Sequence, residues 1–285
     1  MKKIKVKYTM TAPVSHIGQT ASVGAYFNTQ LTAYGEIPTI TGNSVRGILR
    51  DFGAKKVLDA YGKKVDKETF NVLFSGGNIN GTTKNDVGRA TEVRRHFPNI
   101  SLLGAGLGTM IMGGNLDVKF LMPVCTESVP VTHIDSDVSW HNLMGEIEFT
   151  RMDDTKDDLK LKYLENVEEE KKAKASTQMR MSVQYMALGT QFVHEMYLLD
   201  SANEMEEAAL YAAMAEWFKI PTLGGMCSKG FGFFDAESEE ISVIDGKITM
   251  SDRVKALIGK YEDFLAAENI EETIKLLSTG GKKSA

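Results

Sequence analysis

The residues of this chain best placed to do chemistry are two arginines. Arg46 and Arg50 stand one helical turn apart within Ile37 to Gly62, IPTITGNSVRGILRDFGAKKVLDAYG. Side chains at that spacing share a helix face, so two guanidinium groups would present a paired set of charged donors. A helix start adds free backbone N–H groups and the positive end of the peptide dipoles, which together attract anions. The ligand such a stretch would take is a phosphate. The helix is legible in the same residues. After Gly42, Asn43 or Ser44 can act as the cap, and Val45, Ile48, Leu49 and Phe52 fall at i, i+3, i+4 and i+7 to make a core-facing stripe. Arg46 and Arg50 lie off that stripe. A capped helix with two solvated arginines has the same pattern, and the stretch alone leaves both readings open.

A second stretch, Leu223 to Phe234 (LGGMCSKGFGFF), packs its glycines into a short turn that runs into an aromatic strand, with Lys229 its only charge. Glycines at that density bring backbone close to a partner or adopt positive φ. The pair I-P-x-x-x-G-N-S-x-R-G-x-L-R and G-G-x-x-x-x-G-F-G resembles the RAMP superfamily of CRISPR-associated proteins. Within that superfamily it looks like the backbone subunit, which polymerises along guide RNA in effector complexes. PVSHIG near the start, SLLGAGLG to FLMPVC, EIEFTRMDD and the final glycine loop come in the family's order. Their form is most similar to the type IV systems.

The resemblance implies an α+β fold with a ferredoxin-like, RRM-like core, an antiparallel sheet with helices on one face and a projecting thumb hairpin. It implies four partners: guide RNA (crRNA), copies of the chain in a filament, other effector-complex subunits, and a complementary target nucleic acid. Carried onto this sequence, Arg46 and Arg50 pair with phosphates and Asn43 and Ser44 present the helix start. Lys229, Gly230 and Phe231 bracket the RNA from the glycine loop, and Arg151 and Arg180 contact it near the thumb. His16 lies in the loop set against the RNA; a loop histidine satisfied by a neighbour fits equally well. No catalytic residue, cofactor or metal is expected, so the chain is read as a binder and not an enzyme. Relatives that cut RNA carry an aspartate in the loop after the first strand. Here Ser15 to Tyr34, SHIGQTASVGAYFNTQLTAY, holds no carboxylate, and Glu36 is the first in the chain. The enzyme alternative is a metal-dependent ribonuclease as in type III relatives, using Asp51 or the turn from Asp153 to Asp158. A free-standing binder of short RNA is the other.

The rest of the pattern places these residues in one domain spanning 1–285. Lys3 to Met10 alternates as a half-buried strand that Pro13 ends. Asp66 to Ile100 is polar and glycine-rich without a regular period and reads as an insertion, about 66–100. Its Arg89, Arg94, Arg95 and His96 form either a basic cluster or a solvated loop. Gly104, Gly106 and Gly108 are closely spaced, but the third comes too early for G-x-G-x-x-G and no βαβ unit surrounds them, so a dinucleotide site is rejected. Leu116 to Cys125 is a strand that Pro123 confines to an edge or an end. His133, Asp135, Asp137 and His141 are metal-ligand types with no element to converge them.

The thumb candidate is Lys160 to Arg180, within about 152–182, polar and without a core stripe. It fits an arm towards a neighbour or a surface loop. Met181 to Leu199 reads as a strand pair turning at Gly189-Thr190, and Ser201 with Glu204 as the capping box of a helix through Phe218. A hairpin around Asp245-Gly246 and an amphipathic helix close the fold over about 241–277.

The net charge of −5 at first argues against a polyanionic partner. The distribution is polarised: residues 1–64 hold ten Lys/Arg against three Asp/Glu, and residues 200–285 nine against sixteen. Such asymmetry suits a subunit that stacks on copies of itself along an anion. Cys125 and Cys227 form no C-x-x-C pair, so neither a disulfide framework nor a zinc site is signalled and a cytoplasmic setting is expected. No apolar run approaches a membrane span, so no membrane partner is expected.

Overall fold

The computed structural model describes residues 1–20, 24–79, 87–150 and 180–278. Arg151 and most of the thumb candidate lie outside them.

Along the chain, β1 (Lys2–Met10) is followed by the paired β2 (Ile17–Thr20) and β3 (Gly24–Phe27) and by a hairpin of β4 (Thr29–Thr32) and β5 (Gly35–Pro38). Next come α1 (Gly42–Tyr61), α2 (Lys67–Ser75), β6 (Gly77–Ile79), α3 (Val87–His96), α4 (Pro98–Leu103), β7 (Ala105–Gly108) and β8 (Met110–Met112). The middle holds β9 (Leu116–Val118), β10 (Met122–Pro123), α5 (Val129–Thr132), β11 (Met144–Thr150), β12 (Arg180–Met186) and β13 (Gln191–Leu198). The last third holds α6 (Glu204–Trp217), β14 (Phe234–Glu237), β15 (Ile241–Ile244), β16 (Lys247–Met250) and α7 (Asp252–Ala267).

The main sheet runs β10-β13-β1-β14-β15-β16, with β9 also on β13, and its pairs are antiparallel. Taken in order, β1, α1, β9/β10, β13, α6 and β14 form a β-α-β-β-α-β unit. The second of its four strands (β9/β10) lies beside the third (β13), which lies beside the first and then the fourth. That is the ferredoxin-like core the sequence led us to expect. One face is buried: Ile4, Val6, Tyr8 and Met10 of β1 point into the core, while Lys3 and Lys5 are exposed on the other face. Tyr8, Trp217 and Phe234 form an aromatic centre, with ring centroids 5.0–6.1 Å apart, that joins β1, α6 and β14. Pro123 ends β10 at the sheet edge, where its missing N–H costs no ladder bond.

Four expectations are corrected. The described residues of the 66–100 stretch form α2, β6, α3 and the start of α4 instead of irregular loop, with α2 capped by Asp66, whose side chain accepts from Glu68 N and Thr69 N at 2.9 and 3.1 Å. The three helices there are too short to show a clear period. Met181 to Leu199 is not a hairpin: β12 pairs with β11 and, in parallel, with β3, while β13 lies in the main sheet. The cap of α6 is Asn203, boxed with Glu206, instead of Ser201 with Glu204. That helix is buried from Glu206 to Ala215, because α1, α4 and α7 enclose it. The closing helix stops at Ala267, and two short turns follow, Ile270–Thr273 and Ile274–Leu277. The Asp245-Gly246 turn is as expected, with φ of 49° and 71°.

Candidate nucleic-acid interface

The start of α1 is capped by Thr41, whose extended backbone lets its hydroxyl accept from Ser44 N at 3.3 Å. Asn43 and Ser44 are therefore first-turn residues and not the cap; Asn43 is exposed and Ser44 half-buried. Gly42 is set by close approach: a Cβ there would lie 2.3 Å from the Val118 carbonyl oxygen and 2.8 Å from that of Lys119. His16 Nε2 accepts from Thr41 N at 3.2 Å and lies 3.3 Å from the Thr41 hydroxyl. Its ring meets the edge of Phe27, and burial lowers its pKa, which keeps the accepting nitrogen free of a proton. The loop histidine thus has the satisfying neighbour that the sequence left open.

Arg46 and Arg50 turn inward. Arg46 donates to the carbonyls of Leu116 and Leu103 at 2.7 and 2.6 Å, and Arg50 to those of Gly104 and Leu103 at 3.0 and 3.2 Å. Leu103 ends α4 and Gly104 caps it, so both guanidinium groups meet the carbonyl end of a helix, where cations are favoured. Burial, and the charge of Arg46 beside it, press the pKa of Arg50 down. These partners lie more than fifty positions further along the chain, beyond any local pattern.

The glycine loop lies over the exit of β1. Gly225 N donates to the Ser15 carbonyl and Gly232 N to that of Pro13, each at 2.7 Å, while Thr11 N and Ala12 N donate back to Phe233. Two glycines are obligatory here. Gly224 at φ 79° would put a Cβ 2.4 Å from the Ser15 oxygen, and Gly232 at φ 82° would put one 2.2 Å from the Leu223 oxygen. Phe231 is buried, its ring against Phe149 and Tyr185, so only its backbone faces the loop's surroundings. Lys229 is exposed, with Nζ 4.6 Å above the Phe149 ring, and Gly230 beside it is exposed at φ 83°.

Both motifs thus meet on Pro13 to His16, the glycine loop through main-chain bonds and the α1 start through His16. On its far side this segment pairs with β12 through Val14 and Met186, and Met186 faces Met144 of β11. Arg180 opens β12 opposite Thr150. Of the second basic cluster, Arg89 donates to the Leu276 carbonyl, Arg94 to Ser101 and Gly113, and His96 contacts Glu92 and Glu268, while Arg95 is exposed. Among the described residues no group of three or more His, Cys, Asp or Glu is placed to hold a metal, so His133, Asp135, Asp137 and His141 do not converge. Among them, too, no helix is long and apolar enough to cross a membrane.

Fold and site define an α+β chain with a ferredoxin-like core whose glycine loop covers the exit of the first strand. No family model matches the sequence, and no curated protein does. Among solved structures it is similar to a chain of a Type IV-B CRISPR complex, with a TM-score of 0.61 and 17% identity, over 83% of this chain and 90% of that one. At that identity the likeness is one of fold.

Proposed function

We propose that this chain is a guide-RNA-binding backbone subunit of a CRISPR effector complex of the type IV kind, and that it holds RNA without cutting it. The carrying observation is the meeting of the two motif segments on Pro13 to His16. The shared fold with a chain of a Type IV-B CRISPR complex supports the same reading. RNA would lie over that crossing, its phosphates met by the first turn of α1 with Asn43 and Ser44, and by Lys229 and the Gly230 backbone. His16 would sit beneath, and Arg151 and Arg180 would extend the contact towards the thumb. Copies of the chain would follow one another along the guide, beside other subunits, and the exposed bases would pair with a complementary target.

The test is binding of single-stranded RNA by Lys229→Glu combined with Asn43→Asp. Both positions are exposed, so the fold should hold, and affinity should fall by about tenfold or more as two favourable contacts become repulsive. Affinity equal to the parent's would count against the site.

Absence of cleavage rests on the carboxylate-free Ser15 to Tyr34. Assembled protein incubated with complementary RNA and Mg²⁺ or Mn²⁺ should leave it intact. Regular cuts lost on replacing Asp153 and Asp154 by Asn would make the chain a nuclease.

A further inference from the structure

A one-turn helix, Trp140–Asn142, leads into β11, and its two rings are stacked. The imidazole of His141 lies on the indole of Trp140 with centroids 3.7 Å apart and planes 22° from parallel. The turn is held in place from outside. The carboxylate of Glu127 accepts from Ser139 Oγ and, at 3.1 Å, from Trp140 N, while Ser139 Oγ accepts from His141 N at 3.3 Å. Ser139 Oγ also lies 3.2 Å from His141 Nδ1. Because its own proton goes to Glu127, Nδ1 is the donor there. The side chain of His141 is 68% exposed, so the outer face of the stack is open to a ligand.

The turn belongs to the same end of the molecule as the two motifs. Leu143 N closes it on the Trp140 carbonyl, Ala187 N donates to Leu143, and the adjacent Met186 pairs with Val14. Val14, Met186 and Met144 are neighbours across successive strands, so Met144, two residues past the turn, lies about 10 Å from Val14, two strand spacings. On its other side, Thr126–Ser128, which carries Glu127, packs against β5, which leads into the start of α1. A rigid aromatic stack beside a phosphate-binding edge is what a nucleic-acid base uses, since every base has a π-face and stacking needs no sequence match.

We propose that Trp140 and His141 form a stacking platform for a base of the single-stranded RNA held at Pro13 to His16, which rests on the RNA-binding reading above. The chain has two tryptophans, and Trp217 is fully buried in the core, so a change of emission on adding RNA reports Trp140. Mixed-sequence single-stranded RNA should quench that emission, and an abasic strand of equal length should quench it less. His141→Ala and Trp140→Ala should each weaken RNA binding by about tenfold, with Trp140→Tyr restoring most of it and the melting temperature of His141→Ala unchanged. If the parent binds RNA while the emission and the affinity of His141→Ala stay as they were, the platform is overturned and the RNA-binding reading stands. If His141→Ala keeps RNA affinity but loses a protein partner, the surface is a protein contact and the platform is again overturned. A parent that binds no RNA removes both.

Discussion

Four hydrogen bonds tie Arg46 and Arg50 to the carbonyls of Leu103, Gly104 and Leu116, and so fasten α1 to the end of α4 and to β9. Bonds from a charged donor contribute roughly 1.5–3 kcal/mol each, and a buried carbonyl left unmet adds to the loss. Replacing both arginines by alanine should lower stability by about 4 kcal/mol or more, measured by denaturant unfolding, with RNA retention falling because the fold loosens. A double variant that unfolds at the parent's midpoint would return the arginines to the phosphate role read from their spacing. That spacing was legible; of the carbonyls that receive it, those of Leu103 and Gly104 come from the end of a helix the sequence did not announce.

Another residue sets a pH dependence. His194 of β13 is 1% exposed, and burial, only partly offset by the Lys119 backbone and the Glu195 charge, pushes its pKa down to about 4. The unfolded chain takes up this proton near pH 6.5, whereas the folded one does not until about pH 4. Stability is therefore whole above about 6.5 and is lost as pH falls between those values, by up to about 3 kcal/mol for a shift of this size. Urea unfolding at pH 7 and pH 5 should show the slope, and His194→Phe should flatten it. An equal slope in the variant would assign the dependence to other groups.

Among the elements, α1 shows how far local pattern reaches. Its stripe was readable, and Val45 and Leu49 are fully buried with Ile48 and Phe52 packed at the margin. Its cap was misplaced by two or three residues, because Thr41, Asn43 and Ser44 are all acceptable caps and only the packing against β9 selects among them. That packing predicts a contrast within one helix. Gly42→Ala should cost about 1–3 kcal/mol, since a Cβ would meet the Val118 oxygen at 2.3 Å and push α1 off the sheet. Gly47→Ala, where nothing lies within 4 Å, should raise stability by about 0.5–1 kcal/mol. Thermal unfolding of the two variants separates the cases; a shift of the same sign in both would contradict the close approach. The strand pair at Met181 to Leu199 failed for a related reason. Its Gly189-Thr190 turn signal is real, with Gly189 at φ 82°, yet the flanking strands go to different sheets, a choice made by partners far along the chain.

For the whole molecule, the charge polarity of the sequence finds its complement within one copy. Lys2 pairs with Glu207 and Glu240, Lys3 with Glu195, Lys56 with Glu216 and Glu262, and Lys63 with Glu271. The basic first quarter and the acidic end are neighbours because β1 lies between β13 and β14 and α1 packs on α6. The ferredoxin-like order was legible in the succession of strands and helices; the use of its charges was not, since composition carries no distances. Polarity therefore lends no weight to stacking, and the filament rests on the resemblance to backbone subunits. It predicts that the number of protein copies per assembly, read by native mass measurement, rises with RNA length. One copy per RNA at every length would leave a free-standing binder.

The measurement that bears most directly on the account is purification of the protein from its host, followed by sizing and sequencing of the RNA that comes with it. A guide-binding subunit should bring RNA of one uniform length with a shared constant segment. Protein that emerges free of RNA, or with fragments of every length and origin, would contradict it.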